Sequence, residues 1–159
     1  MFESVAMQLT RILQPGCLKV PLASRDKESA ITELVDSLDA AGVLLDRDAV
    51  LNAVLTREKT RSTGIGSGIA IPHGKCSAVR ELVMAIGIAK EPIDFQSVDG
   101  HPVKIILLLV SPADQTGPHI QALARISRVM LDDKFKQQFQ NAKSVEQAHE
   151  LLSKKESEE

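Results

Sequence analysis

The chain has 159 residues, 43% of them apolar and 25% charged, with a formal net charge of −2; these are the values of an ordinary globular domain and exclude a disordered chain. The near-balanced charge, with four Phe and neither Tyr nor Trp, argues against nucleic acid and against an anionic membrane surface as partners. No apolar run approaches the roughly 20 residues that span a bilayer, the N-terminus lacks the pattern of a secretory signal, and two cysteines outside any Cys-x-x-Cys pair, Cys17 and Cys76, fit reduced thiols in the cytosol.

Residues 1–15 form a lead-in segment ending at Pro15-Gly16, and residues 17–22 alternate as a short strand. Ser24 or Asp26 can cap a helix whose buried stripe is Ile31, Leu34, Val35 and Leu38, with Gly42 at its end. Asp46 can cap a second helix that turns Val50, Ala53 and Val54 inward and carries Arg57 near its last turn. Residues 60–68 then make a loop, and 68–71 a short strand with His73 at its abrupt end. Strands are also expected at 82–89 and 103–110, the latter apolar enough to be buried on both faces, with an extended piece at 93–98 and a turn at Asp99-Gly100.

Thr116 can cap a helix with Gly117 and Pro118 in its first turn, which sets His119 beside unpaired N–H groups and the positive end of the macrodipole. The stripe predicted for that helix is Ile120, Leu123, Ala124, Ser127, Met130 and Leu131. Phe135 and Phe139 share one face of a short helix, and Ser144 with Gln147 forms a capping box for a last helix holding Ala148, Leu151 and Leu152. Residues 154–159 read as a charged tail that frays. Helices alternate with strands, so the class is α/β, with one domain over 1–159 and its core at about 9–152.

The chemistry concentrates in residues 56–75. Gly64, Gly66 and Gly68 alternate, an apolar run follows, and His73 is clamped between Pro72 and Gly74, so the backbone must bend on both sides of the run. Arg57 and Arg61 lie just upstream. A histidine on a rigid turn beside guanidinium groups suits an anion, phosphate above all. His119 at a helix N-terminus offers a second imidazole for the same anion. Each also has a plainer reading, as a turn histidine bonded to backbone and as an exposed first-turn residue. His101 sits in a turn and His149 on the last helix with no partner in view. The glycines fit neither the dinucleotide fingerprint nor a P-loop, since Gly74-Lys75 is followed by Cys76. No metal-ligand spacing appears and no cofactor is implied. A His73–Cys76 hydrolase pair is the weakest option, since three residues along one loop do not make a nucleophile and its base meet.

Arg57-Glu58, Ser62-Thr63-Gly64-Ile65-Gly66, the run from Gly68 to Gly74, and Pro112-Ala113-Asp114-Gln115-Thr116 before His119 together resemble the type-2 enzyme IIA domain of the bacterial phosphotransferase system, the mannitol/fructose/nitrogen class. The wording at 56–59 and 112–116 is most similar to the nitrogen-related branch. The resemblance implies a mixed, mostly parallel sheet between helices. It implies His73 as the residue phosphorylated on Nε2 by an HPr-type carrier, Arg57 pairing with the phosphoryl oxygens, and His119 touching the same group. The acceptor would be a IIB domain in a sugar-type member, or regulatory targets would read the phosphorylation state in the nitrogen branch. Ile65 and Ile69 are candidates for an apolar rim around the site, and Arg61 and Lys75 for phosphate or donor binding or for plain solvation. A non-transferring interaction module of the same fold stays open.

Overall fold

The structure, a computed structural model, describes residues 7–158. One helical turn, α1 (Leu9–Ile12), runs directly into strand β1 (Leu13–Leu22), which begins four residues before the expected strand and passes through Pro15-Gly16; residues 1–6 of the expected lead-in lie outside the described residues. Helices α2 (Lys27–Ala40) and α3 (Arg47–Thr60) follow, each capped by an aspartate whose side chain accepts from a first-turn N–H: Asp26 from Ser29 and Asp46 from Ala49. Ser24, the other cap candidate, donates instead to Glu33. Gly42, at φ +78°, ends α2 in the left-handed region that favours glycine. Val50 and Val54 of α3 are buried, and Ala53 is half-buried.

Three short strands, β2 (Gly64–Gly66), β3 (Ile69–Ala70) and β4 (His73–Lys75), precede the long pair β5 (Val83–Ile93) and β6 (Val103–Ser111). Ile93 closes β5, so only the remainder of the expected 93–98 piece stands apart. Helices α4 (Thr116–Met130), α5 (Asp133–Gln140) and α6 (Val145–Ser157) complete the chain. The sheet order is β1-β5-β6-β3-β2, with β4 also on β6. Pairing is antiparallel for β5–β6 and β2–β3 and parallel for β1–β5, β3–β6 and β4–β6. The sheet is therefore mixed and more often parallel than not.

Strand β6 shows why helices cover both faces. Ile105, Leu107 and Leu109 pack with residues of α1, α4, α5 and α6, while Ile106, Leu108 and Val110 pack with residues of α2 and α3. Successive side chains point to opposite faces, so a run that is apolar at every position from Ile105 to Val110 needs a layer on each side.

Three expectations are corrected by packing. First, α4 buries His119, Ala122, Arg125, Ile126, Val129 and Met130; of the predicted stripe Met130 is buried and Leu123 half-buried, while Ile120 and Leu131 stand 58% and 79% exposed. Arg125 faces inward because it meets Glu156 at 3.1 Å, and a buried arginine hides the true phase from an apolar count. Second, the residue capping α4 is Gln115, without a side-chain bond, and Thr116 is the first helical residue, its hydroxyl accepting from Lys75 Nζ at 3.3 Å. Third, the charged end does not fray at Lys154: α6 is helical to Ser157, and Glu156 is buried, accepting from the N–H groups of Leu9 and Thr10 at 2.7 and 2.9 Å. Elsewhere Phe135 and Phe139 stack as expected, with centroids 5.4 Å apart, and Ser144 Oγ caps α6 by accepting from Gln147 N–H; the return bond of the expected capping box is shifted by one residue, Gln147 Oε1 accepting from the N–H of Lys143 and not of Ser144.

Candidate functional site

The site is built where one edge of β6 carries two short strands. β3 pairs at Ile105 and Ile106, β4 at Leu109, Val110 and Ser111. Between them Pro72, which has no N–H, interrupts the ladder; Ile71 N–H turns back to Thr63 O, and Pro72 O accepts from Leu109 N–H. His73 thus opens β4; it does not end the preceding strand. Paired with Leu109, it lies on the side of the sheet that α4 covers. Gly74 faces α3, where an added Cβ would come within 3.2 Å of Val54 Cγ2 and 3.3 Å of its backbone nitrogen. A side chain there would push α3, and Arg57 on its last turn, away from β4.

His73 and His119 meet across this junction, ring centroids 5.4 Å apart and planes inclined at 60°. His73 Nδ1 lies 2.8 Å from Ile71 O. A carbonyl can only accept, so Nδ1 carries the proton and Nε2 keeps its lone pair. Burial pushes the His73 pKa below the ordinary imidazole value against the raising effect of the Ile71 bond, with Arg57 and Lys75 lowering it further and Glu58 raising it. His119 is 3% exposed; burial, helped by the charges of His73 and Lys75, pushes its pKa down to about 4. Both rings are therefore neutral at pH 7. His119 Nδ1 is 2.7 Å from Ser111 Oγ.

Arg57 donates from Nη1 to Arg61 O at 2.9 Å, which holds its guanidinium over the loop. Together with His73, Arg61, Ile65, Val98 and Leu123 it lines a shallow hollow of ≈ 330 Å³. Of the three candidate residues His73 is the common member: it shares this hollow with Arg57 and meets His119 ring to ring. Of the two isoleucines expected around them, Ile65 is 52% exposed and belongs to the rim, whereas Ile69 is 2% exposed and belongs to the core. Val98, 71% exposed, takes its place on the rim. Lys75, two residues beyond His73 on the same strand, reaches towards the start of α4. Cys76 accepts from Ala78 N–H, and His101 and His149 are exposed.

The residues that support the site are less legible in the sequence than the site itself. Glu58, 5% exposed, accepts from Thr63 N–H at 2.9 Å and from the Thr63 hydroxyl, and pairs with Lys27 at 2.7 Å. Its spacing was a usable signal: Val50, Val54 and Glu58 recur every four residues, which puts a carboxylate on the buried stripe of α3. Ser111 gave no such signal, since a serine closing an apolar strand looks like its exit to solvent. A larger hollow of ≈ 790 Å³ opens on the far side of Glu58, between Lys27 and Asp94, but its lining is mixed in sign and brings no two reactive groups together. Among the described residues no cluster of three His, Cys, Asp or Glu side chains could hold a metal ion, and no helix is long and apolar enough to cross a membrane.

The sequence matches the family described as "Phosphoenolpyruvate-dependent sugar phosphotransferase system, EIIA 2" over residues 11–155. Among curated relatives, a PTS system fructose-specific EIIABC component from Bacillus subtilis (strain 168) is 35% identical over 147 residues, which cover 92% of this chain and 23% of that protein. A nitrogen regulatory protein from Klebsiella oxytoca is 34% identical over 151 residues, 93% of this chain and 91% of the relative. The crystal structure of nitrogen regulatory protein IIA-Ntr from Neisseria meningitidis superimposes with a TM-score of 0.82 at 27% identity, covering 89% of this chain and 97% of that one.

Proposed function

The chain belongs to the type-2 enzyme IIA family of phosphotransferase components, and from that premise we propose that it is a phosphoryl relay whose acceptor is Nε2 of His73. The observation that carries the reading is the His73 Nδ1–H bond to Ile71 O at 2.8 Å, which presents Nε2 with a free lone pair in the hollow lined by Arg57. The lone pair attacks phosphorus on an HPr-type carrier; the P–Nε2 bond forms as the carrier's P–N bond breaks, and the electron pair returns to the carrier's own nitrogen. His73 keeps its Nδ1 proton throughout. Charge on the three equatorial oxygens is met by the Arg57 guanidinium and by His119, and the rate gain comes from positioning and from these donors. The exposed Ile65 and Val98 give a protein carrier apolar surface beside the reacting nitrogen.

The output is a regulatory one, of the nitrogen-related kind, in the cytoplasm, with targets that distinguish the phosphorylated from the unphosphorylated protein. The relative from K. oxytoca, matched over nearly its whole length, supports this. The fructose-specific relative from B. subtilis favours a second reading, a sugar-type IIA that passes the group to a IIB domain. Incubation with phosphoenolpyruvate, enzyme I and an HPr-type carrier, followed by intact mass at neutral pH, tests the relay: one added phosphoryl group is expected, absent in His73→Ala. Arg57→Ala is expected to slow uptake about 100-fold while His73 remains the acceptor. Labelling retained in His73→Ala would remove the acceptor assignment. Stoichiometric discharge to a IIB domain would favour the sugar-type reading.

A further inference from the structure

Ser111 closes β6 at the point where β4 and the start of α4 converge, and its residue surface is fully buried. A hydroxyl has one proton to donate, and a buried O–H left without an acceptor is destabilising. Among the described residues the polar atom in reach of Ser111 Oγ is His119 Nδ1, at 2.7 Å. Two arrangements are consistent with that distance. If Nδ1–H donates to Oγ, the hydroxyl proton has no acceptor, and His119 Nε2 is left as a bare lone pair. If the hydroxyl donates to Nδ1, both groups are satisfied and the ring proton sits on Nε2.

The second arrangement is the one that works beside His73. The His119 ring stands 5.4 Å from the His73 ring, and what would occupy the space between them is a phosphoryl oxygen, which needs a donor. A bare nitrogen lone pair would repel it. Because burial and the neighbouring His73 and Lys75 keep His119 neutral at pH 7, it has only one N–H, and the side of the ring that carries it decides whether His119 helps or hinders.

We propose that Ser111 is a positioning residue for the transfer: its hydroxyl donates to His119 Nδ1, fixes the imidazole as the Nε2–H tautomer and holds that N–H towards the phosphoryl group on His73. This rests on the relay reading given above for the role of the N–H, but not for the tautomer itself. No proton moves; the N–H only donates a hydrogen bond while the P–N bonds exchange.

The deciding measurement is a long-range proton–nitrogen correlation spectrum of the native, unphosphorylated protein with nitrogen-15 histidine, at neutral pH. The expected pattern for His119 is a protonated Nε2 and an unprotonated Nδ1 shifted by an accepted hydrogen bond. A protonated Nδ1 would overturn the assignment without any variant having to fold. Ser111→Ala is expected to remove the hydrogen-bond shift at Nδ1 and to slow phosphorylation of His73 about 10-fold, because the donor is no longer held in line, and Ser111→Thr is expected to restore both. An unchanged Nδ1 shift, or unchanged transfer, in Ser111→Ala would overturn it. If the native protein takes up no phosphoryl group, the relay reading falls, while the same spectrum still decides what Ser111 does to His119.

Discussion

Glu58 and Glu156 are built alike and sit in different parts of the molecule. Each is buried, each pairs with a cation and each accepts main-chain N–H groups. Glu58, on α3, takes Thr63 N–H and the Thr63 hydroxyl and meets Lys27 at 2.7 Å. Glu156, on α6, takes the N–H groups of Leu9 and Thr10 and meets Arg125 at 3.1 Å. The first clamps the chain locally, Thr63 lying five residues beyond Glu58, and it fixes the strand that leads from Arg57 to His73. The second joins segments nearly a whole chain apart and tethers the first turn to the last helix. The same chemistry serves site geometry in one place and chain closure in the other. Exposure separates them as well, for the Lys27 side chain keeps 19% of its surface in water and the Arg125 side chain 5%.

The largest effect should come from the remote clamp. Glu156→Ala removes the buried carboxylate that Arg125 and the N–H groups of Leu9 and Thr10 share, so stability should fall by about 3–5 kcal/mol. Transfer to His73, measured on the folded fraction, should not change. Chemical denaturation with the phosphorylation assay alongside tests both halves, and slowed transfer in this variant would break the contrast by showing that the tether reaches the site.

Mild acid attacks the other region without a mutation. The folded-state pKa of His119 lies at about 4, below the ordinary imidazole value of roughly 6.5. Between those values the unfolded chain binds more protons than the native one, so stability rises with pH across the window. It is fully present above about 6.5 and is lost as pH falls towards about 4, by on the order of 2–3 kcal/mol from His119. His73, lowered in the same direction, adds to the loss. His119→Gln should flatten the profile in that window. A profile unchanged by His119→Gln would place the acid sensitivity elsewhere.

The contrast also explains what could be read from the chain. The α/β class, the aspartate caps at Asp26 and Asp46, the stacked Phe135 and Phe139 and the apolar β6 are local patterns, and local patterns survive in sequence. The co-location of Arg57, His73 and His119 came from the resemblance to a family, since nothing in periodicity says that the end of α3 and the start of α4 meet over one strand. What stayed hidden was polar burial. An apolar count assigns arginine and glutamate to solvent, so it misphased α4 at Arg125 and dissolved the end of α6 at Glu156. It also left Ser111 unremarked. The step at Pro72, by which His73 opens a second short strand on β6, is a matter of register, set by which carbonyl Leu109 N–H finds.

The smallest stability effect, and the sharpest test, is Glu58→Gln. The amide oxygen still accepts from Thr63, but its NH₂ cannot, and Lys27 loses its counter-charge. Lys27 has other recourse: its Nζ lies 3.3 Å from Phe95 O and 5.5 Å from the Phe95 ring, and part of it already reaches water. Removing one hydrogen bond to a charged group should therefore cost about 1–2 kcal/mol, well below the Glu156→Ala loss. Transfer should nevertheless slow about 10-fold, because Thr63 sets the start of β2 and with it the placement of Arg57 over His73. The two glutamates would then invert, one governing stability without rate and the other rate with little stability. Equal transfer rates in Glu58→Gln and the native protein would show that the glycine strand holds its place without the clamp, and that Glu58 differs from Glu156 in location alone.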